Sequence, residues 1–166
     1  LEALTSLAVI GPMADEPYEQ LGTWIFDGDS DLSQTPLNTL QTNFGDSIRI
    51  EYARGLVNTR SKDRSGFAEA VAAAQKSELG ILFLGEESIL SGEAHCRASI
   101  RLPGCQEELL SEIAATGKPV VVVIMAGRPL IMRDLLETAD AILFAWHPGC
   151  MAGPALIDLI SGKAVP

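Results

Sequence analysis

The chain has 166 residues, 47% of them hydrophobic and 20% charged, which is enough apolar material for one domain with a two-sided core and too much for a disordered chain. Twenty-two acidic residues against 12 basic give a net charge of −10, which opposes binding to nucleic acid or to anionic membranes and leaves neutral or cationic small molecules as partners. No apolar run is long enough to span a bilayer, and the three cysteines, Cys96, Cys105 and Cys150, lack the Cys-x-x-Cys spacing of a structural zinc site.

The first apolar run, Leu7-Ala8-Val9-Ile10, reads as a strand. A connection of about two dozen residues follows, carrying Trp24 and several acids, and ends at a helix over residues 36–44 with Leu37, Leu40 and Phe44 on one face. A second strand over 48–52 leads to an Ala-rich helix over 66–77, with Phe67, Ala70, Val71 and Ala74 at helical spacing. The third strand, 79–84, opens into a second long connection, residues 85–104, with Glu86, Glu87, Glu93, His95 and Arg97. A helix over 106–116 stops at Gly117-Lys118-Pro119. The strand over 120–125, the strand over 141–145 and a last helix over about 152–160 complete the pattern. Most of the strands are unbroken Val/Ile/Leu runs, as a strand buried on both faces requires. The alternation predicts a three-layer α/β sandwich with a mostly parallel, doubly wound sheet of about five or six strands and helices on both faces.

In such a sheet, ligands meet the connections at the carboxyl ends of the strands. The long links after the first and third strands rise on one edge, joined by Trp146-His147-Pro148-Gly149 after the fifth. Gly11-Pro12-Met13 is no dinucleotide or Walker loop, and no Gly-x-Ser-x-Gly elbow occurs. A receiver-type regulatory domain would need an acidic cluster after the first strand and an Asp ending the third, where Gly11-Pro12-Met13 and Leu84-Gly85 stand. What remains is the carboxylate-rich link after the third strand. Glycoside cleavage needs a carboxylic acid that protonates the leaving oxygen and later acts as base toward water, and a Glu on a glycine-hinged loop suits that task. The competing reading of the same residues is a solvated acidic loop.

At these residues the chain resembles glycoside hydrolase family 3, specifically its second, α/β-sandwich domain. The likeness runs through Leu7-Ala8-Val9-Ile10-Gly11-Pro12-Met13-Ala14-Asp15 and Gly22-Thr23-Trp24, then Gly85-Glu86, Ser91-Gly92-Glu93-Ala94, Arg97 and Leu102-Pro103-Gly104-Cys105-Gln106. It continues through Gly117-Lys118-Pro119-Val120, Gly127-Arg128-Pro129 and the closing stretch 148–162. Cys96, Cys150, Met151 and Pro154 differ from the residues usual there.

The resemblance implies a retaining, exo-acting β-glycosidase of β-glucosidase type, with a β-glucoside or short β-glucan as substrate and no metal or organic cofactor. Its Asp nucleophile would sit in a preceding barrel domain absent from these 166 residues. Glu93 falls at the general acid/base position, Trp24 near the sugar, and Arg97 at a position that anchors the loop by pairing with Glu86 or Glu87. The chain opens at Leu1-Glu2 without Met, and is expected to be one domain cut from a larger periplasmic or secreted enzyme. A general acid must keep its proton near neutral pH, which burial and the neighbouring nucleophile would ensure. The isolated domain is therefore expected to expose Glu93 on a mobile loop and to hydrolyse nothing. The alternative is a carbohydrate-binding or structural module with no chemistry of its own.

Overall fold

A computed structural model describes residues 1 and 3–165. Five strands, β1 (Ser6–Ile10), β2 (Arg49–Ala53), β3 (Leu79–Gly85), β4 (Val120–Met125) and β5 (Ala141–Phe144), form one sheet in the order β2-β1-β3-β4-β5. Every neighbouring pair is parallel. Five α-helices connect and flank them: α1 (Pro36–Phe44), α2 (Phe67–Gln75), α3 (Gln106–Ala114), α4 (Arg133–Thr138) and α5 (Ala152–Ser161). The short helix α4 has no counterpart in the sequence reading.

The strands are apolar on both sides because both sides are covered. Ala8, Ile10, Leu82, Leu84, Val122 and Ile124 point into one core, which α2, α3 and α4 close with Ala70, Leu109, Ile113 and Leu135. Leu7, Val9, Ile81, Phe83, Val123 and Met125 point into the other, closed by Leu37 and Leu40 of α1 and Leu156 and Ile157 of α5. Each fully buried Leu, Ile or Phe contributes about 1.5–3 kcal/mol of burial free energy, so neither face could be left open.

Helix α1 begins where local chemistry dictates. The Thr35 hydroxyl accepts from the Asn38 amide at 3.2 Å, Pro36 takes the first helical position, and the same hydroxyl donates to Asp15 at 2.7 Å. The cap thus also ties the end of the long β1 link to its beginning. Pro154 falls in the first turn of α5, where its missing amide leaves no helical bond unmade.

With every strand pointing the same way, the links after β1, β3, β4 and β5 emerge on one edge. The chain leaves β1 for the edge strand β2 and leaves β3 in the opposite direction for β4. The crevice between β1 and β3 is therefore the switch point at which ligands bind in open α/β sheets.

Candidate active site

The link that leaves β3 opens with three carboxylates in three different environments. Glu86 is completely buried. A lone buried carboxylate would be prohibitively costly, and this one is paired on both oxygens: Arg97 donates to Oε1, and Arg128 Nε donates to Oε2 at 3.1 Å. Both arginines also reach backbone. Arg97 Nη2 donates to the Arg101 carbonyl at 3.1 Å, and Arg128 Nη2 donates to the carbonyls of Leu90 and His95, the latter at 2.7 Å.

Glu87 is engaged differently. Arg60 donates to both of its oxygens at 3.1 Å, and the Thr59 hydroxyl donates to Oε2 at 2.6 Å. Burial alone would raise its pKa, but the Arg60 and Thr59 hydrogen bonds outweigh it and hold the carboxyl below its usual range.

Glu93 shares neither situation. Its side chain is exposed and, among the described residues, forms no ion pair. It occupies a turn closed by the His95 amide donating to the Gly92 carbonyl at 3.3 Å. Gly92 has φ 102° and Ala94, the third residue of the turn, has φ 64°. That is the φ sign a type II turn needs at its third position.

The β1 and β3 links are stitched together at their bases. The Ser88 amide donates to Glu19 at 2.5 Å, and Gln20, 1% exposed, donates from Nε2 to the carbonyls of Gly149 and Gln34 at 3.0 and 3.3 Å. Beside this junction lies a concavity of about 390 Å³ whose walls include Tyr18, Thr23, Trp24, Phe26, Ile89 and His95. Trp24 and Phe26 are 60% and 86% exposed, with ring centroids 6.1 Å apart. A methyl group placed on Gly92 would lie 3.6 Å from the Trp24 indole nitrogen, so the aromatic pair borders the Glu93 turn. Trp24 itself has φ 65°. Among the described residues, the three non-glycine residues with positive φ, Trp24, Ala94 and Trp146, all lie on links at this edge, where strained backbone tends to gather at functional sites.

The sequence singled out Glu86, Glu93, Arg97 and Trp24, and the fold brings all four to this edge. Of the two partners open to Arg97, the geometry selects Glu86. Three further residues organise the same edge without having been assigned a role: Arg128, His147 and Gln106. Gln106 is completely buried at the start of α3; its Oε1 accepts from the Gly85 amide at 2.8 Å, and its Nε2 donates to the carbonyls of Gly85, Pro103 and Thr59. A Gln after Pro-Gly-Cys at a helix start is a visible signal of such a clamp. Arg128 stands in the matched Gly127-Arg128-Pro129 stretch, but its partner is not visible there; the adjacency of β3 and β4 brings it to Glu86.

Among the described residues no group of three or more His, Cys, Asp or Glu side chains is arranged for a metal. All three cysteines are free thiols, with Cys96 and Cys150 exposed and Cys105 buried. No helix among the described residues is long and apolar enough to cross a membrane.

Residues 1–166 match the glycosyl hydrolase family 3 C-terminal domain. A β-xylosidase of Formosa agariphila is 38% identical over 98% of this chain and 23% of its own length. A periplasmic β-glucosidase of Salmonella typhimurium is 33% identical over 97% of this chain and 24% of its own. The crystal structure of a β-glucosidase from Listeria innocua in complex with isofagomine superposes with a TM-score of 0.87 at 32% identity, covering 99% of this chain and 22% of that one. The chain thus spans about a quarter of the length of the curated relatives it matches.

Proposed function

The chain belongs to the glycosyl hydrolase family 3 C-terminal domain family, and from that premise we propose that it is the second domain of a retaining, exo-acting β-glycosidase and supplies Glu93 as the general acid/base. One observation carries the assignment: of the three carboxylates in the β3 link, Glu86 and Glu87 are committed to arginines, while Glu93 alone is exposed at the switch-point edge. An acid that must reach a glycosidic oxygen and later a water needs that freedom.

The partner carboxylate of a retaining mechanism stands roughly 5–5.5 Å from the acid/base. As the family resemblance implies, the nucleophile would come from another domain of the same polypeptide, a barrel that precedes this one, and the two would meet at the domain interface, where binding sites tend to form. The share of each relative covered by this chain supports the division. Glu86, Arg97 and Arg128 anchor the loop that carries Glu93, and Trp24 offers an apolar face to the sugar. The substrate is a terminal β-linked glucosyl or xylosyl residue, since the relatives include both a β-glucosidase and a β-xylosidase. A periplasmic or secreted location fits the name of the Salmonella relative.

The test is leaving-group dependence in the full-length polypeptide. Glu93→Gln should lower kcat/KM for a methyl β-glycoside by about 10²–10⁴-fold, because the departing alkoxide then has no proton donor. A dinitrophenyl β-glycoside, which leaves without protonation, should lose little in kcat/KM. Equal losses on both substrates would remove Glu93 from the role, and an inactive parent polypeptide that still binds sugar would favour a binding module.

A further inference from the structure

Four links meet at one imidazole. His147, on the link after β5, places Nε2 3.3 Å from the hydroxyl of Ser91, a residue 3% exposed and two places before Glu93. Gly22 of the β1 link and Gly127 of the β4 link wall the ring on other sides; a methyl group on either would overlap the His147 side chain. The backbone around the ring is held as well. The Trp146 carbonyl accepts from the Ala126 amide at 3.1 Å, and the Gly149 amide donates to the Gln20 carbonyl at 3.0 Å. Trp146 has φ 56°, a conformation that persists in a bulky residue only when its surroundings impose it.

We propose, on the reading that Glu93 is the acid/base, that His147 is a positioning residue whose bond to Ser91 fixes the root of the turn that presents Glu93. Ser91 is the last buried residue before the carboxylate; Gly92, Glu93 and Ala94 are all exposed. The only other partner of its hydroxyl among the described residues is the Ser88 carbonyl, at 3.5 Å. A shift at Ser91 therefore reaches Glu93 through one intervening residue, Gly92. Burial holds the His147 imidazole below its usual pKa, against the smaller opposing pull of the Glu19 and Glu86 carboxylates. The neutral ring can either accept from the Ser91 hydroxyl or donate to it, so the tie survives in both tautomers. Proton transfer is sensitive to this geometry, because a misplacement of about 1 Å can lower a rate on the order of 10²-fold.

The test uses the full-length polypeptide and the methyl and dinitrophenyl β-glycosides of glucose and xylose. His147→Phe keeps a ring of similar size without nitrogen, His147→Gln restores a hydrogen-bonding group, and Ser91→Ala removes the partner. His147→Phe and Ser91→Ala should each lower kcat/KM for the methyl glycoside by about 10–100-fold and for the dinitrophenyl glycoside by less than about threefold. His147→Gln should recover most of the loss, and the double variant Ser91→Ala/His147→Phe should be no worse than His147→Phe alone. Glu93→Gln is assayed beside them. If it shows the leaving-group bias while His147→Phe and Ser91→Ala lower both substrates alike or neither, the positioning role is overturned and Glu93 stands. If Glu93→Gln lacks the bias, the reading beneath the proposal falls first. Should His147→Phe fail to fold, Ser91→Ala, which removes a single oxygen, decides the matter alone.

Discussion

Arg128, on the link after β4, donates through Nε to Glu86 Oε2 at 3.1 Å on the link after β3, while its Nη2 holds the carbonyls of Leu90 and His95. Two neighbouring parallel strands thus deliver a cation and an anion to one buried point, and the cation reaches on to the backbone on both sides of Glu93. Removing one partner of a buried pair strands the other, at about 3–5 kcal/mol. Glu86→Ala should therefore destabilise the purified chain by about 3 kcal/mol, because Arg97 and Arg128 keep partial access to water. The urea midpoint should fall with an unchanged m-value. A midpoint indistinguishable from that of the parent would show that the pair contributes nothing net to the fold.

Glu93 predicts the opposite. An exposed side chain without an ion pair carries little stability, and surface substitutions of this kind stay within about 0.5 kcal/mol. Glu93→Gln should leave the unfolding midpoint of the 166-residue chain unchanged, and the chain itself should not turn over a dinitrophenyl β-glycoside, since under the proposed division of labour the nucleophile lies in another domain. Robust hydrolysis by the isolated chain would refute the division of labour between domains.

The strands were legible because burial on both faces leaves an unbroken apolar run, as in Val120–Met125. Helix α4 was not. It has six residues, only Leu135 is buried, and the preceding stretch has no helical period. The site divides along the same line. Glu93 and Trp24 stand in links that the strand pattern alone brings to one edge, and Arg97 was narrowed to two acids. Arg128 and His147 act across the sheet, and such partners follow from strand order, which a linear pattern does not carry.

The turn that holds Glu93 places Ala94 at φ 64°. A β-branched side chain fits this region poorly, whereas Gly enters it freely. Ala94→Val should destabilise the chain by about 1–2 kcal/mol, while Ala94→Gly should stay within about 1 kcal/mol of the parent, since relief of strain offsets the freedom gained by the unfolded chain. In the full-length polypeptide Ala94→Val should depress kcat/KM for the methyl glycoside more than for the dinitrophenyl glycoside. The reverse order of stabilities would mean that the positive φ is not imposed on this residue.

His147 gives the fold a pH dependence whose sign can be fixed. Burial lowers its pKa beneath the 6.5 of an ordinary imidazole, so the unfolded chain takes up the proton at a higher pH than the native one. Between those two values the unfolded state binds more protons, and stability falls as pH drops below 6.5 toward the native pKa, with no change above. Glu87, whose pKa is lowered, loses its contribution only as pH falls below 4.5. Glu16, whose pKa burial raises against the pull of Arg54, acts with the opposite sign above 4.5 and partly masks the effect in the parent. The difference between the parent and His147→Phe cancels both carboxylates. Unfolding free energies measured from pH about 8 to about 5 should fall more steeply for the parent, by less than about 1.4 kcal/mol per pH unit because one half-buried group titrates. Parallel curves would show that the ring takes up its proton equally in both states, and that water reaches it beneath the four links that enclose it.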